Sequence, residues 1–405
     1  MGAKLLCLCL LPALLAYYIY TPVPAELAQP WRVMVLCAPF RAVGHLSAVL
    51  DLLGLMHYME GMRLITAMET VVVTSDENVT VTDTEFNNVP VLLYLPKRAP
   101  DGLRRAMVYF HGGGWCLGDA GMKTYDHISR RTSNELDAVV VSVNYRLAPE
   151  HRFPVPFEDV YSATKFFLQS SVLAQYGVDP ARVCVAGDSA GGNLAAAVAQ
   201  QLLEDPEVKT KLKAQVLLYP ALQALDLDLP SYRDNANKPL LSRSLMVRFW
   251  SEYFTSDPSL REAMASNRHV PAEAGHLLQF VNWSRLLPAG MREGHTYAAP
   301  TPGSAALARR YPGFLDPRAA PLLGNSEWRL PPSCPRLHPD LRDDVPLRDD
   351  GAMYAQRLRN AGVSVTHDHA RDAFHGALLF ILWPYELAVG HRLCNRYVQW
   401  LKENL

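Results

Sequence analysis

This chain of 405 residues has almost no net charge, since 39 lysines and arginines face 40 aspartates and glutamates. That balance excludes the basic footprint that nucleic-acid binding requires. There is no internal repeat and no low-complexity tract, so neither a repeat array nor a disordered tail organises the molecule. Charge is missing altogether from residues 5–20, which are almost wholly apolar, with Lys4 in front and Pro22 and Pro24 behind. What remains is an ordinary globular composition, 49% hydrophobic, with ample material for a large core.

The uncharged stretch admits two readings. Its sixteen residues reach roughly 24 Å as a helix, close to the thickness of the endoplasmic reticulum bilayer. Tyr17, Tyr18 and Tyr20 would form an interfacial belt. The rival is a cleaved signal peptide with Val23 and Ala25 as small cleavage-site residues, but bulky tyrosines and two prolines make that context poor. A retained anchor is the expectation, and on either reading the rest of the chain is translocated. The sequons Asn78-Val79-Thr80 and Asn282-Trp283-Ser284 suit that side of a membrane. Of the seven cysteines, Cys7 and Cys9 lie in the apolar stretch, Cys184 in a strand, and Cys37 and Cys394 have no evident role. Cys116 and Cys334 are the candidates for a luminal disulfide.

Residues 25–66 read as helix. Strand signals follow near 69–74, 79–86, 90–95, 105–110 and 138–144, with helices around 124–136 and 157–176. A strand at 182–186, a helix to about 203 and a strand at 215–219 continue the alternation. A mostly parallel sheet covered on both faces is predicted. Between 229 and 317 the pattern breaks into helices and loops, as a cap inserted over the sheet would. A helix at 353–361 and a strand at 363–369 resume it.

Two constellations carry chemistry. Gly187-Asp188-Ser189-Ala190-Gly191 follows small strand formers and opens a helix. It reads as a nucleophile elbow, which nominates Ser189 for acyl transfer. His111-Gly112-Gly113-Gly114-Trp115 follows the strand ending at Phe110. A glycine run lets backbone N–H groups converge on an oxyanion, and Gly112, Gly113 and Ala190 are the expected donors. No Lys-Ser/Thr follows the run, which argues against a nucleotide loop. His375, in Asp372-Ala373-Phe374-His375-Gly376, is the expected base. His367 and His369 alternate along a strand, but no third metal-ligand pattern accompanies them, so no metal and no cofactor are expected. His391 lies on the last helix, where it reads as a surface residue.

The glycine loop, Tyr145-Arg146-Leu147-Ala148-Pro149-Glu150-His151, the elbow, residues 216–220 and residues 372–376 together identify a resemblance. The chain resembles the hormone-sensitive-lipase branch of the α/β-hydrolases, and within it the membrane-anchored arylacetamide deacetylase family, nearly end to end. That resemblance implies an α/β-hydrolase fold with a helical cap, no cofactor, and small apolar esters, arylacetamides and acylglycerols as substrates. It implies a short cytoplasmic segment at 1–4, a signal anchor at 5–20, cap helices at 21–66 and a luminal catalytic domain at 67–405 with the cap insertion at about 229–317. Glu150 would be structural. One departure stands out: the family pattern Asp-x-Leu-Arg-Asp-x-Gly meets Leu347, Arg348, Asp349, Asp350 and Gly351, but Val345 stands where the triad acid belongs. Asp344, one residue out, is the first substitute and Asp340 the second. Asp349 and Asp350 read as helix-N-terminal carboxylates. Prolines at 331, 332, 335 and 339 make residues 330–345 a poor central strand, which motivates an alternative: an impaired relative that binds lipid or a partner.

Overall fold

The computed structural model describes residues 12–21, 27, 29–238, 240–324, 336–341, 346–370 and 372–405, with the backbone alone at 336–341, 368 and 369. Two helices lead, α1 (Pro30–Leu52) and α2 (Tyr58–Glu69). His57 starts α2 through a reciprocal cap, its ring accepting from Met59 N–H while Glu60 accepts from the His57 N–H. The helices touch closely, because a Cβ on Gly61 would lie 2.2 Å from Ser47 Oγ.

β1 (Val79–Phe86) and β2 (Val89–Pro96) form a hairpin turned by Asn87 and Asn88, both at positive φ, as two-residue hairpin loops favour. The chain continues through β3 (Arg104–Phe110), α3 (Lys123–Leu136), β4 (Ala138–Val143), α4 (Val155–Phe167), β5 (Val178–Asp188), α5 (Ala190–Glu204) and β6 (Ala214–Leu218). After the cap segment, which contains α6 (Arg243–Phe254), come β7 (Arg336–Leu341), α7 (Arg348–Asn360), β8 (Val365–Ala370) and α8 (Ala388–Asn404). The strands make one sheet in the order β1-β2-β4-β3-β5-β6-β7-β8. β1 and the β2–β4 pairing are antiparallel, and every pair from β4 onward is parallel. β4, Ala-Val-Val-Val-Ser-Val, is buried at every position, as a strand covered on both faces must be. The mostly parallel sheet is the one that the alternating pattern predicted.

Three expectations need correction. Residues 70–74 are β-branched and look like a strand, but only an isolated bridge from Thr70 to Met122 forms; propensity without a ladder partner does not make a strand. The long helix expected over 157–176 is two, α4 and a short helix at Ser170–Gln175. Within the poor strand at 330–345, residues 336–341 do pair. Arg336 and Leu337 register with Gln215 and Val216 on one side, while all six residues register with β8 on the other. Pairing with β6 ends two residues before Pro339, so the proline lies beyond that ladder.

Candidate active site

The elbow is built from close approaches that only glycine permits. Ser189 sits at φ 54°, ψ −117° between the end of β5 and the first turn of α5. A Cβ on Gly191 would fall 2.0 Å from Phe110 O, and one on Gly187 would fall 2.4 Å from the Gly191 backbone. Ser189 N–H donates to Leu218 O at 2.8 Å, which pins the turn to β6. His375 follows β8 in a tight turn and places Nε2 3.0 Å from Ser189 Oγ. Its ring meets Tyr219 edge-on, with centroids 4.8 Å apart. Ser189 and His375, 186 residues apart in sequence, are thus brought within hydrogen-bond distance.

The histidine's other nitrogen is a different matter. Nδ1 is buried and has no hydrogen-bond partner among the described residues. Burial alone pushes the imidazole pKa down to about 3. Asp344 and Val345 lie outside the described residues, and Asp340 is described by backbone only, opposite His369 in the β7–β8 ladder. Asp349 and Asp350 do open α7, but their carboxylates are engaged by other partners. Asp349 accepts from Ser231 N–H at 2.8 Å and pairs with Arg348 at 2.7 Å. Asp350 accepts from Leu222 N–H at 2.8 Å and Gln223 Nε2 at 3.1 Å, with burial pushing it up to about 8.

The glycine loop corrects one assignment. Gly112 N–H is already committed: it donates to Asp188 Oδ1 at 2.9 Å and approaches Tyr125 Oη at 3.0 Å. The expectation that it faces an oxyanion does not hold. The N–H groups of Gly113, Gly114 and Ala190 have no partner among the described residues and are left free to donate. Gly113 holds φ +120°, and a Cβ there would sit 2.0 Å from Leu117 O. The loop closes behind it where Leu117 N–H donates to Gly113 O at 2.8 Å.

Sequence reasoning missed what holds this loop. Asp188, fully buried beside the nucleophile, accepts from Tyr109 Oη at 3.0 Å as well as from Gly112. Desolvation pushes its pKa up to about 6 despite those donors. Its identity within the elbow was visible, but its partners come from β3 and α3 and were not. On the outer side, Arg63 of α2 spans the loop: Nε donates to Cys116 O at 2.8 Å, and its two terminal nitrogens reach Glu150 at 2.8 and 2.7 Å. Glu150 is thus structural. Cys116 is fully buried, and Cys334, its expected disulfide partner, lies outside the described residues. From above, Phe249 of α6 lies against the loop so closely that a Cβ on Gly114 would sit 2.4 Å from its ring. Trp115 stacks on Tyr253 of the same helix at 4.5 Å.

Asp188 yields a prediction. Its folded pKa exceeds the usual carboxylate value of 3.8, so the native state binds the extra proton. Stability from this group rises as pH falls from about 6 toward 4, and above 6 the ionised form is a cost. Asp188→Asn keeps an acceptor for Gly112 and is expected to raise Tm at pH 8 but not at pH 4. Asp188→Ala leaves Gly112 and Tyr109 without their acceptor and is expected to lower kcat by about 10–100-fold, the cost of roughly 1–3 kcal/mol. Thermal melts at both pH values and steady-state kinetics check the pair.

The two remaining site expectations concern glycans. Asn78 is exposed just before β1. Asn282 is half-buried, and its Oδ1 accepts from Ser284 N–H at 3.1 Å as a helix cap.

Comparison with known proteins agrees with this fold. A family model described as alpha/beta hydrolase fold matches residues 107–280. Arylacetamide deacetylase of Oryctolagus cuniculus is 55% identical over 405 residues, covering 100% of both chains. Neutral cholesterol ester hydrolase 1 of Bos taurus is 42% identical and covers 97% of each. Among solved structures, a hyperthermophilic esterase from the archaeon Pyrobaculum calidifontis superposes with TM-score 0.60 at 26% identity, covering 93% of this chain and 98% of that one.

Proposed function

Because this chain belongs to the arylacetamide deacetylase family of α/β-hydrolases, we propose that it hydrolyses small apolar esters and arylacetamides through an acyl-enzyme on Ser189. The observation that carries this reading is His375 Nε2 at 3.0 Å from Ser189 Oγ, beside three unengaged N–H groups. Ser189 Oγ attacks the carbonyl carbon while His375 takes its proton. The negative charge passes to the carbonyl oxygen, where Gly113, Gly114 and Ala190 N–H stabilise it. His375 then protonates the leaving alkoxide or amine, and water repeats the sequence to release the acid. The aromatic wall of Trp115, Phe249 and Tyr253 suits an uncharged substrate and excludes water from the oxyanion.

Burial of His375 sets a cost on protonating it. The imidazolium that forms in each transition state is desolvated, and no described carboxylate offsets that cost. Burial by itself would place the acid limb attributable to His375 near 3, and a carboxylate at Nδ1 would move it up. Asp344, then Asp340, are the carboxylates left to support Nδ1. The chemistry itself is tested with a fluorophosphonate: Oγ bonds to phosphorus, fluoride leaves, and the proton goes to His375. Labelling of the native chain and none of Ser189→Ala is the expected result; a folded but unlabelled native chain would sink the esterase reading and leave a binding protein.

Residues 5–20 would anchor the chain in the endoplasmic reticulum membrane, with the catalytic domain in the lumen. Asn78 and Asn282 would then carry glycans. The exposure of Asn78 supports this, and a gel-mobility shift on glycosidase digestion that disappears in Asn78→Gln/Asn282→Gln tests it.

A further inference from the structure

Helix α1 carries a surface that the catalytic machinery does not use. Trp31, Val35, Pro39, Ala42, Leu46, Val49 and Leu53 follow one another at spacings of three and four, and all are exposed. At 100° per residue this is a single stripe about 33 Å long. No charged side chain interrupts it. Arg32 flanks it, while Asp51 points to the far side and pairs with Arg248. The opposite face, through Val33, Cys37 and Ser47, is buried, so α1 is fixed to the domain and not free to insert alone. A soluble protein rarely leaves so long an apolar band in water.

The neighbouring chain indicates what covers it. Residues 12–19 are helical, and Leu14, Leu15 and Tyr17 are exposed. Their end is tied to α1: Arg41 donates to Tyr18 O and Thr21 Oγ1, Tyr18 Oη meets His45 Nδ1 at 3.2 Å, and Thr21 N–H approaches Met34 Sδ at 3.3 Å. A segment held in a bilayer would therefore bring α1 to the bilayer surface with it. Arg32 at the stripe's shoulder suits anionic headgroups.

We propose that α1 lies in the plane of the membrane as a second, interfacial contact, its Trp31-to-Leu53 stripe sunk among lipid chains. This rests on the anchor reading of residues 5–20. α1 is itself long and apolar enough to cross a membrane, but its buried face, packed on α2, binds it to the domain. The interfacial contact sets the orientation of the cap over the bilayer, which a flexible tether alone would leave free.

The test uses the full chain in phosphatidylcholine–phosphatidylserine vesicles, with benzoylphenylalanine placed singly at Leu14, Val33, Val35, Val49 or Lys209. Lipid adducts at 14, 35 and 49, with none at 33 or 209, are expected. Adducts at 14 alone would overturn the proposal and leave the anchor standing; adducts at none would overturn both. Adducts at 33 as well would mean that α1 spans the bilayer, and chain-to-chain adducts at 35 and 49 that a second copy covers the stripe. Either result would overturn the interfacial placement.

Discussion

Val345→Asp is expected to raise kcat by about 10³–10⁴-fold, because a triad histidine that lacks its carboxylate loses on the order of 10⁴ in turnover. Everything else that the acid would serve is in place. Ser189 and His375 are within hydrogen-bond distance, the three oxyanion donors are unengaged, and Nδ1 is buried without a described partner. A carboxylate at Nδ1 would fix the tautomer, raise the imidazole pKa from about 3 toward its ordinary range, and stabilise the imidazolium in each transition state. The gain should therefore arrive with a change in the pH–rate profile: the acid limb from His375 moves from near 3 to near 6 to 7. A rise in rate without that limb would indicate improved folding rather than a completed triad. An unchanged rate would mean that another carboxylate already supports Nδ1, and Asp344→Asn, then Asp340→Asn, would show which by a loss of similar size.

Ser189→Ala should cost very different amounts in the two backgrounds. Triad members act as a unit: in subtilisin, removal of the serine costs about 2 × 10⁶ and removal of the aspartate alone about 3 × 10⁴. With Val345 at the acid's position and no other carboxylate on Nδ1, Ser189→Ala is expected to lower the native rate by only about 10²-fold, the ratio of those two figures. In the Val345→Asp background the same substitution should cost about 10⁶-fold. Equal losses in both backgrounds would show that position 345 does not communicate with the nucleophile. The four proteins form a double-mutant cycle, and its coupling term isolates the acid's effect from any change in stability.

The chemistry was legible where it is local. Ser189 and the glycine loop announce themselves within a few residues, since a strand, a tight turn and a helix start leave their marks in adjacent letters. His375 was legible by chain order and by the glycine after it. What sequence could not resolve is which N–H in a glycine run is free. That depends on Asp188 reaching across to Gly112, and on Tyr109 and Tyr125 arriving from β3 and α3. The clamp of Arg63 on Glu150 escaped for the same reason, as partners 87 residues apart leave no local pattern. Residues 70–74 erred in the other direction, because valine and threonine favour an extended chain whether or not a neighbouring strand is present to pair with it.

The contact of Phe249 with Gly114 gives the cap a part in the timing of the reaction. A substrate that enters by lifting α6 must also withdraw the ring that backs an oxyanion donor. Return of the helix would set the ring back against the loop and shut out water in one movement. A large acyl group that held α6 open would bind without being cut, and it would act on this enzyme as an inhibitor of its own hydrolysis.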